Sequence, residues 1–219
     1  MALDFKRYDS RGYKTVDVKE GYTQWAKSYD DGFDPNLDRR LLDNLKSIDW
    51  TKVDAATGKW LKDHRVTVVD GVDLSTEMMA RAKSRGIYRN LLNEDIRRTS
   101  LSSNTYDLVT NSLSAEHLPK LEPLFQEAHR LLKPGGSFVL LGYHPHFQLR
   151  GIPTHFDDES GESIAITNHV HLISDFVKAG IATGFALTEL DENVVDENWP
   201  AMKRHFGHPI SFICVWRKP

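Results

Sequence analysis

Cysteine is nearly absent from the 219-residue chain: Cys214 is the only one, so no intrachain disulfide can form. This fits a reducing compartment. Long hydrophobic runs are missing too. No stretch approaches the roughly 20 apolar residues of a membrane helix, and the opening MALDFKRYDSRGYK has no apolar segment of signal-peptide length. The expectation is a cytoplasmic protein with no membrane partner. There is no excess of positive charge: the formal net charge is -3, which gives no basic field for a phosphate backbone, so nucleic acid is not expected as a partner. Paired cysteines and an HExxH spacing are both lacking, and no metal is expected. Internal repeats and low-complexity segments are likewise absent. What remains is ordinary for one large domain, with 40% apolar and 27% charged residues.

The first 20 residues are polar and mixed and read as a loose arm. Tyr22, Trp25 and Tyr29 follow at spacings of three and four, which puts them on one helical face. Residues 36–48 carry a second helical stripe, Leu37, Leu41, Leu42, Leu45 and Ile48. Strand and helix signals then alternate. Strands are expected at 53–56, 66–72, 87–92, 106–110, 137–142, 185–190 and 210–216. Helices are expected at 59–64, 75–84, 118–132 and 170–182, with Ser75 as an N-cap. Residues 144–168, rich in histidine, glycine and acids, read as an inserted loop region. Strands separated by helices imply βαβ units and a parallel sheet, with ligands outside the carboxyl ends of the strands.

Asp73 ends the second strand, where a carboxylate can accept hydrogen bonds from both hydroxyls of a ribose or serve only as a solvated acid. Glu94, Asp95 and Ile96 follow the third strand, either as an adenine-reading turn or as a plain turn. Met78, one turn into the helix after Asp73, either packs on the adenine or belongs to the core. A more specific pattern runs from Tyr106-Asp107-Leu-Val through His117-Leu118 to Leu131-Leu-Lys-Pro-Gly-Gly136 and a hydrophobic strand.

The ordered set YTQWAKSYD, VDAATG, VDGVDLSTEMMARAK, NEDI, YDLVTNSLSAEHL and HRLLKPGG resembles the class I S-adenosylmethionine-dependent methyltransferases over roughly residues 20–143. The resemblance implies an α/β fold: a doubly wound, mostly parallel seven-stranded sheet with helices on both faces and an antiparallel last strand. Residues 1–49 would form a helical cap over the cofactor site. Residues 50–219 would form the Rossmann-like domain, with the insertion at about 144–168. It further implies that Asp73 and Leu74 hold the ribose of S-adenosyl-L-methionine and that Asp95 and Ile96 recognise adenine. Asp54, Ala55, Ala56 and Gly58 would cradle the methionine part, with Met78, Asn111 and Ser112 lining the cofactor. Tyr22, Trp25 and Tyr29 would cover it, since a sulfonium cation suits aromatic faces. The expected glycine-rich turn after the first strand is reduced here to Asp54-Ala-Ala-Thr-Gly58, about two residues short of the family's pattern. That is read as a remodelled turn, a degenerate pocket or an unrecorded stretch.

For the acceptor, five of the ten histidines fall within residues 144–171. Tyr143, His144 and His146, directly after the fifth strand, are the residues expected to touch it, as a general base or by contact. His117 is a secondary candidate. The expected partner is a small molecule methylated at oxygen, nitrogen or carbon; a homodimer is compatible with the sequence. Two alternatives stand beside this reading. One is a catalytically silent binding module, favoured by the short turn. The other is a nicotinamide-dependent oxidoreductase, disfavoured because Gly-x-Gly-x-x-Gly is missing.

Overall fold

The computed structural model describes residues 2–29, 36–48 and 68–219. The strands are β1 (Leu3–Asp4), β2 (Lys14–Val16), β3 (Asp70–Val72), β4 (Asn90–Leu92), β5 (Tyr106–Ser112), β6 (Leu132–Tyr143), β7 (His155–Asp157), β8 (Ser163–Ile166), β9 (His169–Val170), β10 (Ala186–Val194) and β11 (Pro209–Arg217). The helices are α1 (Val18–Trp25), α2 (Asn36–Leu42), α3 (Thr76–Ser84), α4 (Glu122–Leu131), α5 (Pro145–Leu149) and α6 (Ile173–Thr183). The expected strand at 53–56 and helix at 59–64 lie outside the described residues.

Four strands form one sheet in the order β10, β11, β6, β5. β5 and β6 run parallel, and β11 is antiparallel to both its neighbours. β3 and β4 form a separate parallel pair. The alternation of side chains along β6 and β11 builds two cores. Phe138, Leu140, Phe212, Cys214 and Trp216 face α4 and α6, where Phe125 and Phe176 meet them. Val139, Leu141, Ile213 and Val215 face the other way, toward Leu41 and Leu42 of α2. Burial on both faces explains why these strands read as continuous apolar runs.

Gly180 brings α6 directly onto Trp216, which is fully buried. A Cβ at that position would overlap the indole ring. Gly180→Ala is therefore expected to lower stability by about 2 kcal/mol, because over-packing outweighs the alanine's roughly 1 kcal/mol helix advantage. A urea melt in which the variant matches or exceeds the parent would contradict this.

Several local expectations are corrected. The first residues are not a loose arm: β1 pairs with β9, β2 runs parallel to β8, and Phe5 is buried. Asp9 organises the connection, its carboxylate accepting the backbone N–H groups of Arg11, Gly12 and Tyr13. Residues 144–168 are not merely a loop but α5 and the β7–β8 hairpin. The helix expected from 118 begins at Glu122, after an extended Leu118 that precedes Pro119. Likewise the helix expected from 170 begins at Ile173, since His169 and Val170 belong to β9. The Lys-Pro-Gly-Gly turn survives as residues looped out between the Tyr106–Leu132 and Leu108–Ser137 pairings.

Candidate functional site

A cavity of 530 Å³ opens at the carboxyl ends of β3, β4 and β5. Asp73 sits at its edge, directly after β3, with Oδ1 accepting the Ser75 backbone N–H at 2.7 Å. Ser75 in turn caps α3, its hydroxyl accepting from Met78 N at 3.2 Å. Burial holds the Asp73 carboxyl above its usual range, against the backbone N–H groups of Ser75 and Leu74. Leu74, Met78 and Tyr88 line the same space.

After β4, Asp95 and Ile96 form the next wall. Both oxygens of Asp95 are already engaged by the Arg97 guanidinium, which lowers its pKa. The loop carrying them is pinned from beneath by α4. Glu127 Oε1 accepts Thr99 N at 2.8 Å and Thr99 Oγ1 at 2.7 Å, while Oε2 accepts Arg130 Nε at 2.8 Å. Arg130 also donates to the Leu101 carbonyl at 2.8 Å. Burial raises the Glu127 pKa, but the bonds from Arg130 and Thr99 outweigh it and the net shift is downward.

At the carboxyl end of β5, Asn111 donates through Nδ2 to Ser114 Oγ at 2.7 Å, and its Oδ1 is buried with no partner among the described residues. Ser112 and Leu113 follow. Leu113 has φ 49°, a left-handed conformation that a branched residue adopts only at a cost.

The far side is closed by α1. Tyr22 of α1 and Tyr29 line the cavity, whereas Trp25 stacks on Phe156 at 5.9 Å and faces a second cavity; the three are not on one helical face as expected, because the helix ends at Trp25 and a turn separates Tyr29 from it. Thr23 Oγ1 donates to Glu77 at 2.9 Å and Arg81 to the Ala26 carbonyl at 2.7 Å, which fastens α1 to α3. Tyr22 Oη lies 3.0 Å from His117 Nε2, and His117 Nδ1 lies 2.7 Å from the Thr167 carbonyl. A carbonyl only accepts, so Nδ1 carries the proton and Nε2 accepts from the phenol. Burial, then the charges of Tyr29, Glu116 and Asp73, push the Tyr22 phenol well above its ordinary pKa, so it stays a donor.

The second cavity, 570 Å³, shares Tyr22, Tyr29 and Leu113 with the first. Tyr143 lines it, with its phenol pushed up by burial and by Glu116. His144 and His146 line neither cavity. His144 is consumed structurally: Nδ1 accepts from His146 N at 3.1 Å to cap α5, and Nε2 donates to Glu192 at 2.7 Å. His146 stacks on His208 at 4.9 Å. His171, buried, meets the Leu118 carbonyl at 2.7 Å. Of the residues expected at the cofactor, the first cavity brings together Tyr22, Tyr29, Asp73, Leu74, Met78, Asp95, Ile96, Asn111 and Ser112. Asp54, Ala55, Ala56 and Gly58 lie outside the described residues. Sequence reasoning missed Glu127 and Glu116.

An acid directly after one parallel strand, a second acid after the next and an orphaned amide at the end of a third stand together at the carboxyl edge of an α/β sheet. The methyltransferase-domain family matches residues 54–140. The ubiquinone/menaquinone biosynthesis C-methyltransferase UbiE of Brucella canis is 25% identical over 164 residues, covering 61% of this chain and 61% of that protein. The malonyl-[acyl-carrier protein] O-methyltransferase of Enterobacter lignolyticus is 34% identical over 68 residues, 31% of this chain and 27% of that one. The S-adenosylmethionine dependent methyltransferase of Mesorhizobium loti superposes with a TM-score of 0.60 at 22% identity, covering 73% of this chain and 84% of that chain, a likeness of fold. The chain is thus similar to S-adenosylmethionine-dependent methyltransferases in sequence over part of its length and in fold over most of it.

Proposed function

We propose that the chain transfers a methyl group from S-adenosylmethionine to a small-molecule acceptor at oxygen, nitrogen or carbon. The observation that carries this reading is the pair of cavities meeting at Tyr22, Tyr29 and Leu113, one edged by Asp73 and by Asn111 Oδ1, which has no partner among the described residues. At 530 Å³ the first is of ordinary cofactor size. Asp73 would take the ribose hydroxyls, the Asp95–Ile96 turn the adenine, and Asn111 Oδ1 a donor of the amino-acid part. When bound, the cofactor supplies an electrophilic methyl on a sulfonium. The chain's own part is to align an acceptor with that methyl and keep water away, which is where most of the rate in such a displacement arises. The match to UbiE and to an O-methyltransferase spans less than two thirds of either protein, so the choice of acceptor atom rests on this chain's own residues.

The same reading takes residues 1–49 as the cap over the cofactor and 50–219 as the catalytic domain, in a cytoplasmic setting. It takes the parallel pair and the four-stranded sheet as parts of one seven-stranded sheet; the antiparallel β11 supports this. Isothermal titration with S-adenosylhomocysteine tests it. Micromolar binding is expected, and no binding by correctly massed protein would overturn it in favour of a silent module.

His117 acts here as a positioning residue for Tyr22. His117→Ala and Tyr22→Phe are each expected to weaken S-adenosylhomocysteine about fivefold, the worth of one neutral hydrogen bond. The double variant should lose less than the product of the two single effects, because one bond is common to both, while His117 also meets the Thr167 carbonyl and Tyr22 the Leu113 carbonyl. Full additivity would show that the two side chains act independently.

A further inference from the structure

Resting on that reading, we propose that the second cavity takes a small anionic acceptor with an aromatic or apolar body. Its nucleophilic O–H or N–H is bound by Glu116 and its anionic group by Arg11 and Arg204.

Glu116 is 4% exposed and lines this cavity. Its Oε1 accepts from Thr154 Oγ1 at 3.2 Å, but Oε2 is buried with no hydrogen-bond partner among the described residues. An acceptor-only group left so is costly, and a donor brought by a ligand would relieve it. The carboxylate adjoins His117 in the chain and acts electrostatically on the Tyr22 phenol, so it stands close to the junction of the cavities. The cavity also carries positive charge. Arg11 and Arg204 line the same cavity and are exposed. Among the described residues, the Arg11 guanidinium hydrogen-bonds to the Tyr13 hydroxyl alone, and that of Arg204 to the His205 ring alone. Neither has a carboxylate partner among the described residues. Asp157, the other acid on the lining, is engaged by Ser163 Oγ at 2.6 Å. Trp25, Tyr143, Phe147, Phe156 and Trp199 supply the aromatic part of the same lining.

A protonated amine has no lone pair to give, so the group at Glu116 must be a neutral O–H or N–H. Glu116 Oε2 takes its proton. The freed pair on oxygen or nitrogen forms the bond to the methyl carbon, and the pair of the methyl–sulfur bond stays on sulfur. Atoms and charge balance with no further reactant.

The test is binding of three probes, 4-hydroxyphenylacetate, phenylacetate and tyramine, by calorimetry with and without S-adenosylhomocysteine. The order expected is 4-hydroxyphenylacetate tightest, phenylacetate weaker, tyramine weakest. Glu116→Gln keeps the shape and the Thr154 contact. It should weaken 4-hydroxyphenylacetate at least fivefold and leave phenylacetate within twofold. Arg204→Ala, at an exposed position, should weaken both acids about fivefold and spare tyramine. Tyramine binding tightest, a Glu116→Gln effect equal on all probes, or binding of none of the three would each overturn the proposal. Failure of S-adenosylhomocysteine alone to bind would instead bring down the cofactor reading, while the order of the probes still decides this one.

Discussion

Asp73→Ala is expected to weaken S-adenosylhomocysteine binding by two orders of magnitude or more while leaving the melting temperature within about 3 °C of the parent. The two effects separate because they come from different partners. A carboxylate accepting from two ribose hydroxyls makes two charge-assisted bonds, each worth roughly 1.5–3 kcal/mol, and about 3 kcal/mol together corresponds to over a hundredfold in affinity. In the free protein the same carboxylate is half-buried and held above its usual pKa by burial. Removing it therefore relieves a desolvation cost. That relief offsets the loss of the bond from Ser75 N. Because the ionised form is the one that accepts both hydroxyls, affinity should also fall as the pH drops through the raised Asp73 pKa, and Asp73→Ala should abolish that dependence. An affinity within threefold of the parent would remove the ribose assignment.

Glu127→Gln is expected to cost about 2–3 kcal/mol, or roughly 5–10 °C in melting temperature. Glu127 is 6% exposed and gathers Thr99 and Arg130 on its two oxygens. The Arg130 side chain is 35% exposed, so water recovers part of its loss and the figure stays below that of a fully buried pair. With its folded pKa lowered, Glu127 contributes its full stability above the ordinary glutamate pKa. That contribution is lost as the pH falls through the lowered value. The gap between parent and variant should accordingly be widest at neutral pH and close in acid. Since the network pins the loop that carries Asp95 and Ile96, cofactor affinity should fall with stability. A variant that melts early yet binds S-adenosylhomocysteine unchanged would show that the loop does not depend on its anchor.

What could be read from the sequence was whatever is decided locally. Ser75 caps a helix because its hydroxyl meets an orphan N–H three residues on, and Asp73 lies where a parallel strand must end; both need only near neighbours. The alternation of Phe138, Leu140 and Phe212 with Val139, Leu141 and Ile213 is likewise written in the chain. Hidden were the pairings of very short strands across great separations. β2 finds β8 some 150 residues away, and three residues leave no periodicity to read. The histidines at 144 and 146 stood at the expected edge of the sheet, but a ring nitrogen that caps a helix and a ring that stacks on His208 cannot be told from ligands by spacing. Glu116 carried no sign of its solitude, because an orphaned oxygen is a property of what surrounds it.

The aromatic helix α1 stands between two chambers and is held from both. β2, directly before it, belongs to the sheet of β7 and β8 that walls the second cavity. Gly21 lets the helix lie on Ile166, where a Cβ would come within 2.7 Å of Cγ1, and Thr23 and Arg81 fasten it to α3 beside the first cavity. Whatever settles in one chamber and steadies this helix has met part of the ordering cost for whatever settles in the other. Linkage makes that help reciprocal: the factor by which the acceptor tightens the cofactor equals the factor by which the cofactor tightens the acceptor. The order in which the two arrive is then a matter of access and rate, while the stability of the ternary complex is the same by either route.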